Sequence, residues 1–311
     1  RMSPKVVRDA IDERADRLGV ESVDLLQLHW WTFQHPGYLD AMEGLMLAHE
    51  GGRIANIGLT NFDTDHLLVL LRHGFPVVSN QVVVSLLDQR ALGDMTTEVL
   101  KNGIKLFAYG VLAGGFLTER WLDKPEPGNS ELNDWSKMKY KRFIDETGGW
   151  ENLQIILRAL TSVAQRHDVS VANVATRWVL DQPAVGAVII GARLTESQHR
   201  QDNLTIFSFV LDEEDKSLIA ESMADICRLK GDCGDEYREP PFLTATGDLS
   251  HHLDSLPTVY EPIAVPGKTD RTQVFSGTKW EKICGHSRAV RIGNRILVSG
   301  TTATHGQDVI V

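Results

Sequence analysis

An α/β fold on a parallel sheet is what this sequence predicts, from three observations. Short apolar strands alternate with amphipathic helices along most of the chain, the pattern of a sheet whose connections cross back over its faces. No G-x-G-x-x-G turn occurs in the 311 residues, so an open doubly wound sheet would lack its usual nucleotide signature. The unusual polar residues fall after strands, where a (β/α)8 TIM barrel gathers its chemistry on one face. A barrel is therefore the predicted architecture.

The elements follow in order. Val6, Ala10, Ile11, Ala15 and Leu18 recur among charges at a helical period over residues 4–18, and Gly19 supplies the stop. The strand SVDLLQLH comes next, then a helix around YLDAMEGLMLAHEGG, the strand RIANIGLTNF and the helix DTDHLLVLLRHG. The strand PVVSNQVVVSLL, a helix near 91–102 and the strand GIKLFAYGVL continue the alternation. A polar and aromatic insertion over 119–149, with Trp121, Trp135 and Trp150 near it, suggests an aromatic-walled pocket. Helices over 151–167 and 170–181 then lead to a fifth strand, GAVIIGA, and to a helix near 212–228 whose LDEED start complements the helix dipole.

Beyond residue 230 the pattern breaks. Residues 231–270 are rich in Pro, Gly, Asp and Thr without a sustained period, and read as a linker or extended arm. His251 and His252 there lack partnering cysteines, so no metal site is expected. Alternation returns in SRAVRIGNRILVSGTTAT, with Gly293 and Asn294 as a hairpin turn. The expected division is a barrel region over 1–230, a linker over 231–270 and a short β-hairpin region over 271–311.

Composition narrows the function. A net charge of -10 and a pI near 5.6 argue against nucleic acid as the main partner, since phosphates need a positive field. No apolar run approaches the length of a membrane span. Cys227, Cys233 and Cys284 are few and odd in number and lack metal-ligand spacing. They fit a reducing compartment, and a cytoplasmic location is the expectation.

Five strand ends carry special residues: His29, Thr60 with Asn61, Asn80 with Gln81, Tyr109, and Gly191-Ala192-Arg193. Each has a plainer alternative. His29 suits a hydrogen-bonded core histidine, Thr60 and Asn61 a helix cap, Gln81 a buried backbone partner and Tyr109 a core ring. Their joint placement at strand ends favours one shared site.

With those residues in place, VDLLQLHWW, RIANIGLTNFD, SNQVVVSLLDQR, KLFAYGVLAGGFL and VIIGARLTESQHRQDN, in this order, resemble the aldo-keto reductase family over roughly residues 3–225. The resemblance implies a carbonyl reductase that uses NADPH on a small-molecule aldehyde or ketone. It implies that His29 belongs to the catalytic tetrad and polarises the carbonyl. It gives Asn61 and Gln81 the nicotinamide carboxamide, with Thr60 where Ser is common, and Tyr109 the nicotinamide ring. Gly110, Leu112 and the AGG at 113–115 fall in the loop that passes the pyrophosphate. Gly191, Arg193, Ser197, Gln198 and Asn203 resemble the segment that holds the adenosine end and its 2'-phosphate, where Arg193 suits a bidentate pair.

The same resemblance implies that the barrel is partial, lacking its first three βα units, which carry the tetrad Asp, Tyr and Lys. Tyr38 lies in the wrong loop to replace that tyrosine. The chain is expected to be a piece of a longer protein or to need a partner, and to be inactive as it stands. Residues 274–305, WEKICGHSRAVRIGNRILVSGTTAT included, resemble the start of the YjgF/RidA family, which implies an imine deaminase module and an oligomer formed through it. A non-catalytic scaffold or cofactor-binding subunit is the alternative from another functional class.

Overall fold

The computed structural model describes residues 2–30, 33, 36–128, 131–132, 135–191, 199–238, 262–275, 277, 279–299, 304–305 and 308–309. They fall into two units, Arg1–His252 and Leu253–Val311.

The first unit alternates as expected: α1 (Pro4–Leu18), β1 (Leu26–His29), α2 (Gly37–Glu50), β2 (Ile57–Thr60), α3 (Thr64–Arg72), β3 (Val77–Val83), α4 (Asp94–Lys101) and β4 (Lys105–Tyr109). It continues through α5 (Trp135–Glu146), α6 (Gly149–His167), α7 (Val171–Leu180), β5 (Val185–Val188), α8 (Arg200–Leu204), α9 (Glu213–Ser222) and α10 (Asp235–Arg238). The five strands form one parallel sheet in the order β1-β2-β3-β4-β5. Parallel pairing brings His29 opposite Thr60, Thr60 opposite Gln81, and Val83 opposite Tyr109. His29, Thr60, Gln81 and Tyr109 therefore lie toward the same end of the sheet.

One face of the sheet is sealed. Leu59, Val82, Leu106 and Ala108 are fully buried there against Val7, Ile11 and Ala15 of α1, Met42 and Leu45 of α2, Leu67 and Leu70 of α3, and Met95 and Val99 of α4. In α1 the buried stripe is Val7, Ile11 and Ala15, whereas Val6 and Leu18 face solvent, so the helix is rotated by about one residue from the expected stripe. Gly19 at φ +67° closes it in the left-handed region as expected, while at the other end Ser3 accepts from Val6 N–H and Pro4 opens the helix. On the other face Gly58 is required, since a Cβ there would lie 2.5 Å from the Ser79 hydroxyl.

Three stretches depart from expectation. The insertion contains α5, and its tryptophans divide between core and surface. Trp121 is buried, with its ring 5.0 Å from Phe116 and 5.6 Å from Trp150 (centroid distances), while Trp135 is largely exposed. The start of the stretch expected as a linker or extended arm is packed on the first unit. Residues 231–238 belong to the first unit, with Cys233 and Glu236 fully buried. α9 ends at Ser222, short of the expected 228.

The second unit holds an antiparallel four-stranded sheet of β6 (Ile263–Ala264), β7 (Arg271–Val274), β8 (Ala289–Ile292) and β9 (Arg295–Val298), with α11 (Lys279–Cys284) between β7 and β8. The hairpin turning at Gly293 and Asn294 is present as its β8-β9 pair, extended by two further strands. A two-stranded pair, β10 (Thr304–His305) and β11 (Asp308–Val309), follows. Among the described residues no helix is long and apolar enough to cross a membrane.

Candidate active site at the strand ends

The end of β2 sets the geometry of the site. Asn61 takes φ +55°, a conformation Asn tolerates better than most side chains, and its N–H is bound by the Gln81 carbonyl at 2.9 Å. The side chain is thereby fixed between two neighbours. Its Oδ1 accepts from the Tyr109 hydroxyl at 2.9 Å, and its Nδ2 lies 3.5 Å from His29 Nε2, the outer limit of a hydrogen bond. Three of the expected residues, from β1, the end of β2 and β4, thus form one hydrogen-bonded chain. Thr60 is buried beside them, and Gln81 is half-buried.

Burial, reinforced by the positive charge of Arg238, lowers the pKa of His29 below its usual 6.5. The imidazole is therefore neutral at physiological pH. Burial also lifts the Tyr109 phenol well above the ordinary range, with the Glu236 charge acting in the same direction, so it remains a protonated donor.

The remaining partners lie in segments where the sequence offered no site residue. The Tyr237 hydroxyl is 3.2 Å from that of Tyr109 and accepts from Lys139 Nζ at 2.7 Å. Lys139 of α5 pairs with Glu236 at 3.1 Å, and Glu236 with Arg90 at 2.8 Å. Arg90 in turn pairs with Asp88 at 2.6 Å. Two cations and two carboxylates are thus matched inside a dry network. Burial disfavours the Lys139 charge, yet the Glu236 carboxylate together with Tyr140 and Tyr237 outweighs it and raises the pKa. Burial likewise opposes ionisation of Glu236, and Lys139 and Arg90 overcome it.

The residues expected at the pyrophosphate are packed by α5. Gly110 has φ +68°, and a Cβ there would lie 2.1 Å from the Tyr140 hydroxyl. At Gly114 a Cβ would lie 2.8 Å from Tyr140 Cδ2. Leu112 is half-buried, its carbonyl accepting from Gly115 and Leu117 N–H. Gly191 is exposed beyond β5, and Asn203 sits in α8. Arg193, Ser197, Gln198, His251 and His252 lie outside the described residues. Among the described residues no cluster of His, Cys, Asp and Glu is suited to a metal.

The model of the aldo/keto reductase family matches residues 1–224. The chain belongs to the aldo/keto reductase family. Curated relatives include flagellar radial spoke protein 5 of Chlamydomonas reinhardtii, 30% identical over 52% of this chain and 34% of that protein. The NADH-specific methylglyoxal reductase of Escherichia coli K12 is 24% identical over 71% of this chain and 65% of that enzyme. The chain thus spans about one to two thirds of these relatives. Among solved structures, a glycerol dehydrogenase of Gluconobacter oxydans superposes with a TM-score of 0.62 at 23% identity, covering 75% of this chain and 68% of the other. A holo aldo-keto reductase of Bacillus halodurans gives 0.55 at 19%, over 71% and 68%. The five parallel strands of this aldo/keto reductase chain match that barrel fold; the second unit lies beyond the family match.

Members of this family typically use NAD(P)H, and in this structure the groups that the resemblance gives to the nicotinamide are engaged within the chain. The Tyr109 hydroxyl is occupied, and the Lys139 ammonium lies 5.4 Å from the centre of its ring. Both ends of the Asn61 amide are engaged, and Tyr140 fills the space beside Gly110 and Gly114. The chain satisfies these groups from within.

Proposed function

We propose that the strand-end mouth is the histidine-bearing part of an NADP(H)-dependent reductase site for a small aldehyde or ketone, with His29 facing the carbonyl oxygen. The observation that supports this reading is the chain His29–Asn61–Tyr109, drawn from three separate strand ends. A neutral imidazole donates a hydrogen bond to a carbonyl oxygen without bringing a charge into a half-buried site. The preference for NADP(H) rests on Arg193 as a partner for a 2'-phosphate; the Escherichia coli relative is named as NADH-specific, so both cofactors belong in the test. Proton donation stays unassigned, because the family's tetrad Asp, Tyr and Lys have no counterpart identified among these residues.

A second reading, a non-catalytic scaffold, is favoured by one observation: the groups expected at the cofactor are tied up within the chain. Likeness to a protein named for the flagellar radial spoke points the same way. The resemblance of residues 274–305 to the YjgF/RidA family gains no support from the family match, which ends at 224, and adds nothing to either reading.

Titration of the full chain with NADPH and NADH, followed by tryptophan fluorescence, together with a carbonyl reduction assay, separates the two. The reductase reading expects saturable binding by this chain with a preference for NADPH, and, in a longer protein that supplies the tetrad Asp, Tyr and Lys, turnover that falls further than affinity in His29→Ala. Binding without turnover in that longer protein would favour the scaffold. Absence of binding would remove the cofactor from both.

A further inference from the structure

Residues 232–238 are docked on the strand ends through one anchor after another. Asp232 accepts from Thr64 N–H at 2.8 Å through its carboxylate and from Arg90 at 2.9 Å through its carbonyl. Cys233 is fully buried, and Gly234 approaches β2 so closely that a Cβ would stand 2.7 Å from the Asn61 carbonyl. Glu236 joins the Arg90 and Lys139 pairs, and Tyr237 bonds Lys139 and Tyr109. Arg238 donates to the Asn61 carbonyl and lies 4.3 Å from the centre of the Phe33 ring. Gly234 and Arg238 thus meet the Asn61 carbonyl and Tyr237 the Tyr109 hydroxyl, at two of the residues that the resemblance gives to a nicotinamide.

We propose that residues 232–238 form an internal strap that competes with the nicotinamide end of a dinucleotide for the strand-end mouth, so that cofactor enters only when the strap lifts. This rests on the reading of that mouth as a cofactor site. Closure and binding are then mutually exclusive states of one equilibrium, and the apparent affinity is reduced by the fraction of open molecules. A ligand that selects the open state must also expose what the strap buries.

Cys233 provides the probe, since it is the strap's own cysteine and is fully buried while Cys227 and Cys284 are exposed. In full-length chain carrying Cys227→Ser and Cys284→Ser, labelling of Cys233 by a thiol reagent is slow without ligand. Saturating NADPH is expected to accelerate it about tenfold or more if the mouth is closed at least nine-tenths of the time. Glu236→Gln and Arg238→Ala, which loosen two separate anchors of the strap, should each raise basal labelling and tighten NADPH binding. Arg238→Ala leaves the buried Arg90–Glu236–Lys139 pairs in place, so it reports even if Glu236→Gln does not fold.

Saturable NADPH binding with Cys233 unchanged or better protected would overturn the strap while leaving the cofactor site intact. Absence of NADPH binding in wild type and in an Arg238→Ala variant whose Cys233 has become reactive would overturn the cofactor site, and the competition with it.

Discussion

The covered face of the parallel sheet and the mouth at its strand ends are held together by opposite chemistry. Behind the sheet, Leu59, Phe62, Val82, Leu106 and Met42 pack as a dry apolar layer, each almost wholly hidden from solvent. At the mouth, Asp88, Arg90, Lys139 and Glu236 are equally hidden, but they are charged and depend on one another. Apolar packing is non-directional and tolerates neighbours of many shapes. The buried charges are stable only as a complete set, because removing one leaves its partner desolvated and unpaired. The mouth is therefore the more specific of the two regions, and a single change there should depend on pH as a change in the core does not.

The largest effects test that contrast directly. Phe62→Ala should cost about 3–5 kcal/mol through the cavity it leaves, and Glu236→Ala a similar ~3–5 kcal/mol through the uncompensated cations. Their pH dependence should separate them in urea denaturation. Lys139 and Arg90 hold the Glu236 carboxyl below its usual 4.5 despite burial. Its contribution is thus present above the unfolded value and is lost as pH falls through the lower folded value. Lys139, raised from 10.5, contributes below that value and loses its contribution as pH rises through the higher folded one. The Glu236→Ala penalty should therefore shrink in acid, while the Phe62→Ala penalty stays nearly flat. Parallel profiles for the two variants would break the comparison.

A smaller effect is expected where α5 meets the loop after β4. Gly110→Ala places a methyl against the Tyr140 hydroxyl at a residue with positive φ, and overpacking of this kind costs about 1–3 kcal/mol. Pairing it with Tyr140→Phe removes the nearest atom and should recover part of the loss, as thermal melts of the double-variant cycle would show. Additive losses would mean that the two residues do not meet.

The two regions also differ in how far the sequence announces them. The covered face is legible because its signal is local: alternation along strands and a helical period in α1 to α4 place Leu59, Leu67 and Met95 without knowledge of anything distant. Strand-end placement likewise brings His29, Asn61 and Tyr109 forward as a group. The charged network is not legible, since Lys139 and Glu236 are 97 positions apart and Arg90 and Glu236 are 146 apart. α5 reads as a polar insertion because its buried side includes Lys139 and Lys141 as well as Tyr140, Phe143 and Ile144. Residues 231–238 read as linker for a related reason: their burial is earned by ion pairs and a close glycine contact, which carry no periodicity. Arg90 and Asp88 stand inside a quoted motif, and only the fold shows what they hold.

The central claim is that the strand ends and the 232–238 segment form one assembled mouth around His29. Its most direct test is the titration of the His29 imidazole by NMR, with its signal among the 11 histidines assigned by its loss in His29→Gln. In wild type it should titrate below 6.5, because burial and the Arg238 charge both oppose protonation, and Arg238→Ala should move it upward. A His29 that titrates at 6.5 or above and does not respond to Arg238→Ala would contradict the account, because the segment would then not be seated on the strand ends.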